Sequence, residues 1–175
     1  YHDANDDLNF VQCTNDACTT KNVTIVDAAN NMGDFNSVAM GSDGFARIGY
    51  WDDTNKDVRY AQCTNASCTT KIITLVESSG AIGEYIALKI GTDGFGRMAY
   101  FDDTNSDLKF IRCTDNACTT KVITTVDSTG DVGKHAYVAI DSSNFAFVSY
   151  FDDTNNDLKF VRCTNADCTA KNITT

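Results

Sequence analysis

The sequence predicts an all-β chain built from tandem repeats, and three observations predict it. The cysteines come first: Cys13, Cys63, Cys113 and Cys163 lie 50 residues apart, as do Cys18, Cys68, Cys118 and Cys168. A period of that size marks solenoids, propellers and arrays. Second, short runs rich in β-branched and aromatic residues alternate with gaps filled by Gly, Asp, Asn and Ser, the pattern of strands and turns. Third, no stretch sustains a 3.6-residue apolar period, so helix is expected to be minimal.

Each repeat reads as four strands, taken here from the third copy. The first is YIALKI (85–90), closed by the turn GTDG. The second is FGRMAYF (95–101), closed by the acidic turn DDTNSD. The third is LKFIRC (108–113), followed by the cysteine-bounded loop, and the fourth is KVITTV (121–126). A polar link, DSTGDVG (127–133), leads onward. The expected organisation is one repeat domain: a half-unit at 1–27 and full units at about 28–77, 78–127 and 128–175.

These strands do not alternate cleanly. In LKFIRC, Leu108 and Phe110 share one face while Ile111 and Cys113 share the other. Both faces therefore need cover, as in a sheet packed between two others. Small residues recur at Gly49, Ala99 and Ser149, where close approach of sheets would require them. Four-stranded antiparallel units stacked face to face around an axis make a β-propeller. Three and a half units fall short of the four to eight that close such a ring. The chain is then part of a longer closed propeller, or is covered by other chains, or continues without closing as a helical fibre.

The pattern G-[ST]-D-G-F-x-x-x-x-Y-[FW]-D-D-T-N-x-D-[LV]-x-[FY]-x-x-C-T-x-x-x-C-T resembles the tandem blades, ~50 residues each, of predicted secreted bacterial propeller proteins. The resemblance spans the whole chain and implies a β-propeller-like fold. Such repeats usually carry Pro two residues after the turn Gly, where this chain has Ala46, Gly96 and Ala146. The turn SDGF also resembles the Asp-box of sialidases, but the Thr-Trp that follows in that motif is missing, and sialidase chemistry is not carried over.

A net charge of −10 would repel a phosphate backbone, so nucleic acid is not an expected partner. No apolar run approaches the ~20 residues of a membrane-spanning helix. Eight cysteines, an even number, point to an oxidising compartment, hence secretion or the cell surface. The N-terminus has neither an initiator Met nor a signal-like apolar segment, so the chain is expected to be a mature or excised piece.

Four local disulfides are expected, Cys13–Cys18, Cys63–Cys68, Cys113–Cys118 and Cys163–Cys168, each across a hairpin tip. Zinc is the alternative and would need pairs from neighbouring units to converge on one tetrahedral site. A redox role is a third reading, but the spacing is not C-x-x-C.

The acidic turns carry a spacing with which a loop can wrap calcium: Asp3-Asn5-Asp7, Asp53-Asn55-Asp57, Asp103-Asn105-Asp107 and Asp153-Asn155-Asp157. The Gly and bidentate Glu of an EF-hand are missing. The competing reading is a tight turn in which Asp and Asn bond their own backbone.

Arg47 and Arg97 give way to Phe147, so they are expected to pair with nearby acids. His2 and His135 do not occupy equivalent repeat positions, and no Ser/His/Asp or Cys/His set or phosphate loop emerges. Paired carboxylates recur in every turn and single out no glycosidase pair. No enzyme is expected. Asn22, Asn65 and Asn172 open N-glycosylation triplets, and the Thr-rich loop tips are candidates for O-linked sugar.

The expectation is an extracellular, non-enzymatic structural or adhesive module, a filament building block whose partners are copies of itself, further repeats or glycans. The alternative is a carbohydrate- or ligand-binding propeller of a larger secreted protein, with a hydrolase ranked third.

Overall fold

The computed structural model describes residues 5–175, so Asp3 of the first calcium set and His2 lie outside the described residues. Among the described residues there are fourteen strands and no helix. The first sheet is a hairpin of β1 (Leu8–Cys13) and β2 (Lys21–Asp27). The second is a meander of β3 (Met32–Met40), β4 (Ala46–Asp52), β5 (Asp57–Cys63) and β6 (Lys71–Glu77). β7 (Ile82–Ile90), β8 (Gly96–Asp102), β9 (Asp107–Cys113) and β10 (Lys121–Asp127) form the third in the same order. β11 (Val132–Ile140), β12 (Ala146–Asp152), β13 (Asp157–Cys163) and β14 (Lys171–Thr174) form the fourth. All pairings are antiparallel.

The core is divided into layers between the sheets. Leu8, Val26, Ile48, Tyr50 and Cys63 join the first sheet to the second. Val58, Tyr60, Met98, Tyr100 and Ile111 join the second to the third. Leu108, Phe110, Val138, Val148 and Val161 join the third to the fourth. Every residue of β4 and β8 is buried, whereas β12 alternates buried with half-buried positions. That contrast is the expected two-faced burial, present where a sheet lies between two others and lost where one face is open.

The small residues work as read. A Cβ on Gly49 would sit 2.8 Å from the Met98 sulfur of the next sheet, and Ala99 is fully buried. Ser149 is half-buried, because the fourth sheet's outer face is open.

The first strand of each full sheet begins about three residues before its apolar run, within the polar link of the sequence reading. Gly33, Gly83 and Gly133 sit there at φ of 105°, 102° and 113°. Their hydrogens face the start of a strand in the preceding sheet, at Leu8 of β1, Val58 of β5 and Leu108 of β9. A Cβ at Gly133 would lie 2.8 Å from Leu108 Cα, and one at Gly83 2.8 Å from Val58 Cγ2. The ladder register shifts on both sides of the residue after each glycine, at Asp34, Glu84 and Lys134.

Backbone bonds run across the sheets at the same place: Met32 N to Asp6 O (2.9 Å), Ile82 N to Lys56 O (3.1 Å) and Val132 N to Ser106 O (3.0 Å). A local sequence pattern of period 2 does not reveal this bend, because tertiary contact creates it.

Candidate functional site

The acidic turn is built around its first aspartate. Asn55 donates to Asp52 from both its backbone N (3.0 Å) and its side-chain amide (2.9 Å). Asn105 treats Asp102 alike, at 3.1 and 3.0 Å, and Asn155 treats Asp152 alike, at 3.0 and 2.9 Å. The residue after each Asn takes a positive φ, 62° at Lys56, 59° at Ser106 and 56° at Asn156.

A cation from the adjacent strand completes each anchor: Arg59 Nε lies 2.8 Å from Asp52, and Lys159 Nζ 2.9 Å from Asp152. The Asn155 amide and the Lys159 ammonium hold the Asp152 carboxyl at about 2.

The residues of the calcium spacing are placed differently. Asp53 accepts from the Asn31 amide at 2.8 Å and pairs with Lys56. Asp153 pairs with Lys134 at 2.7 Å. Asp57 and Asp107 open strands β5 and β9, where burial and then the neighbouring Asp52 or Asp102 raise their carboxyls. Asn55 and Asn105 turn their amide nitrogens toward Asp52 and Asp102. Asn5 and Asp7 both precede β1, with Asp7 buried. Among the described residues, no three His, Cys, Asp or Glu side chains are grouped to hold a metal ion.

The cysteine loops are four disulfides, Cys13–Cys18, Cys63–Cys68, Cys113–Cys118 and Cys163–Cys168, with Cα atoms 4.7–4.8 Å apart. No thiolate is left for zinc or for redox exchange. The second cysteine of each pair takes a φ between 54° and 56°, which the short closed ring tolerates.

An Asn organises the loop: Asn65 accepts from Thr69 N at 3.0 Å and donates to its hydroxyl at 2.6 Å. Asp115 replaces it in the third copy. Although partial burial works against it, bonds from Thr119 and Thr120 hold its carboxyl far below the usual range. The Asn65 amide is thus engaged in its own loop, while Asn22 and Asn172 are exposed on the outermost strands β2 and β14.

Arg47 and Arg97 are buried and pair with Asp43 at 2.7 Å and Asp93 at 2.6 Å. Nη1 of Arg47 also reaches the carbonyls of Phe45 and Cys63. They brace the turn between the first and second strands. Tyr50 and Tyr150 donate to Asp27 and Asp127 at 2.7 Å, and Tyr100 donates to Glu77. These bonds tie the second strand of a sheet to the end of the preceding sheet.

One feature escaped the sequence reading. Phe35, Tyr85 and His135 occupy one repeat position, two residues after Gly33, Gly83 and Gly133, and all take positive φ (46°, 55° and 53°). Their rings form a ladder across the first strands: Phe35 to Tyr85 4.8 Å, Tyr85 to His135 4.3 Å, with Trp51 5.5 Å from Phe35. Aromatic identity at 50-residue spacing was the available signal, obscured because the third member is a histidine. Beside the ladder, β3, β7 and β11 line a groove of about 300 Å³ containing Ser37, Val38, Leu88, Lys89 and Tyr137. Lys89 Nζ lies 5.5 Å from the Tyr137 ring.

Compared with known proteins, the chain matches no protein-family model and no curated sequence. Chemically, the repeated acids, arginines and tyrosines serve the turns and the sheet contacts. The ladder and groove offer aromatic and apolar contact with a cationic rim.

Proposed function

We propose that the chain is an extracellular, non-enzymatic structural or adhesive module of the propeller type, a building block of a filament. One observation carries this reading: the same polar constellations recur in each repeat and are consumed by its own construction. Asp52, Asp102 and Asp152 hold their turns, and the cysteines close their loops. A device used in every repeat builds surface and length rather than one reacting centre. Sheets stacked in chain order, each with a first strand against the next, suit a propeller or an open superhelix of blades. The disulfides suit an oxidising location outside the cell. Negative-stain imaging of the purified chain tests the reading: filaments or side-by-side rows are expected, and dispersed single particles at every concentration would count against it.

A second reading has its own observation, the Phe35–Tyr85–His135 ladder beside the groove. Residues held at positive φ store strain that surrounding structure must offset, and such sites concentrate at binding surfaces. Aromatic rings with exposed edges suit a carbohydrate. A glycan array on the wild-type chain and on Phe35→Ala tests this; binding that Phe35→Ala abolishes would establish it.

A further inference from the structure

We propose that the chain associates head to tail with a second copy, the open face of β13–β14 receiving the open face of β1–β2 and its disulfide loop. This rests on the reading of the chain as an assembling structural module, and it assigns the contact.

The three contacts between successive sheets within the chain follow one rule. The aromatic on the third strand lies against the disulfide strand of the next sheet. Tyr60 and the Cys113 sulfur both come within 3.2 Å of where a Gly96 Cβ would be. The fourth strand adds a hydroxyl bond to the next disulfide loop: Thr24 to Ser67 O, Thr74 to Ala117 O and Thr124 to Asp167 O, each 2.7 Å. A lysine after that loop returns to the preceding fourth strand, Lys71 to Ile25 O at 2.8 Å and Lys171 to Thr125 O at 3.3 Å. Between the third and fourth sheets, Arg112 also pairs with Asp167 of the next loop.

Both open faces carry the unused halves of this rule. On the tail, Phe160 is 41% exposed where its equivalents Phe110 and Tyr60 are at 1%. Thr174 is exposed at the position of Thr24, Thr74 and Thr124, and Arg162 is exposed at the position of Arg112. On the head, Val11 is 48% exposed where Ala61, Ile111 and Val161 are at 0%. Cys13 is exposed where Cys63, Cys113 and Cys163 are buried, and the Ala17 carbonyl and Lys21 stand where the internal acceptors and lysines stand.

Continuing the stack places Phe160 on Cys13 and Val11 and the Thr174 hydroxyl on the Ala17 carbonyl; Arg162 then meets the disulfide loop at the position Asp167 holds internally, which is Ala17 here, with Asp16 as the adjacent acid. The contact is heterologous, so it propagates rather than closing as a twofold dimer. Two strands meet two strands, half the width of a contact between two four-stranded sheets, so association is weak and concentration-dependent.

Sedimentation velocity of the chain across a concentration series tests the contact. The wild type should form a progression of species. R162E and D16K should each move that progression to at least about tenfold higher concentration, because each places like charges together. The D16K/R162E double variant, with the pair reversed, should restore it. Both substitutions are at exposed sites, and unchanged circular dichroism in all three variants confirms the fold. A wild type that assembles but is indifferent to R162E and D16K overturns this contact while leaving the structural reading intact. A wild type that stays monomeric throughout overturns both.

Discussion

Asp152 shows how one side chain carries a whole turn. Its carboxyl is held at about 2 by the Asn155 amide and the Lys159 ammonium, against ~3.9 for an unfolded aspartate. A depressed folded value means the contribution is present above the unfolded value and is lost as pH falls through the folded one. Stability should therefore decline between about pH 4 and pH 2. Asp152→Asn should remove part of that acid-limb slope, as urea denaturation at several pH values would show.

Gly133 is a second decisive residue. At φ 113°, with Leu108 Cα 2.8 Å from the absent Cβ, Gly133→Ala meets strain and backbone together. A loss of roughly 1–3 kcal/mol is expected in denaturant unfolding, and an unchanged midpoint would contradict the close approach. Gly133 lay within the stretch read as a linker, because nothing local says that another sheet's backbone passes beside it.

At the level of elements, the hairpin loops and turns follow from composition, and the distinction lies in what each does. A disulfide closing so short a ring is worth ~2 kcal/mol on the chain-entropy argument. Cys63→Ala with Cys68→Ala should cost about that much, plus the loss of buried sulfur packing, and thermal melts would measure it. The exposed Cys13–Cys18 pair should cost less to remove than this buried one.

The acidic turn is expected to keep its melting temperature in millimolar calcium and in chelator. Lys56 and the Asn31 amide already engage Asp53, and the Asn55 side chain is committed to Asp52. A calcium-dependent rise would revive the loop-binding reading of Asp53, Asn55 and Asp57. The strands were legible from their β-branched and aromatic runs. The Phe35–Tyr85–His135 ladder was not, since its rings meet only after three separate strands are brought side by side.

For the whole molecule, burial is set by position in the stack. β4 and β8 are closed on both faces, whereas Leu158 is 71% exposed although its equivalents Leu108 and Val58 are at 0%. Hydrogen exchange should therefore be slowest in β4 and β8 and fastest in β2 and β14. Equal protection in all four sheets would mean that both ends are covered in solution, and dilution would then unmask them. Repeats that contact only their neighbours make stability a sum of local terms, so damage to one sheet should spread chiefly to the adjacent ones.

By itself the sequence determined the repeat, the all-β content, the four cysteine pairs and the pairing of the buried arginines with acids. The repeat is read from identity at a fixed spacing, and the others depend on residues near one another in the chain, where side-chain chemistry suffices. Only the tertiary structure decided which face of each strand is covered, why Gly33, Gly83 and Gly133 stand where they do, and which residues gather into the aromatic ladder. Those outcomes depend on contacts between sheets some 50 residues apart in the chain, and no local pattern encodes a distance between separate backbones.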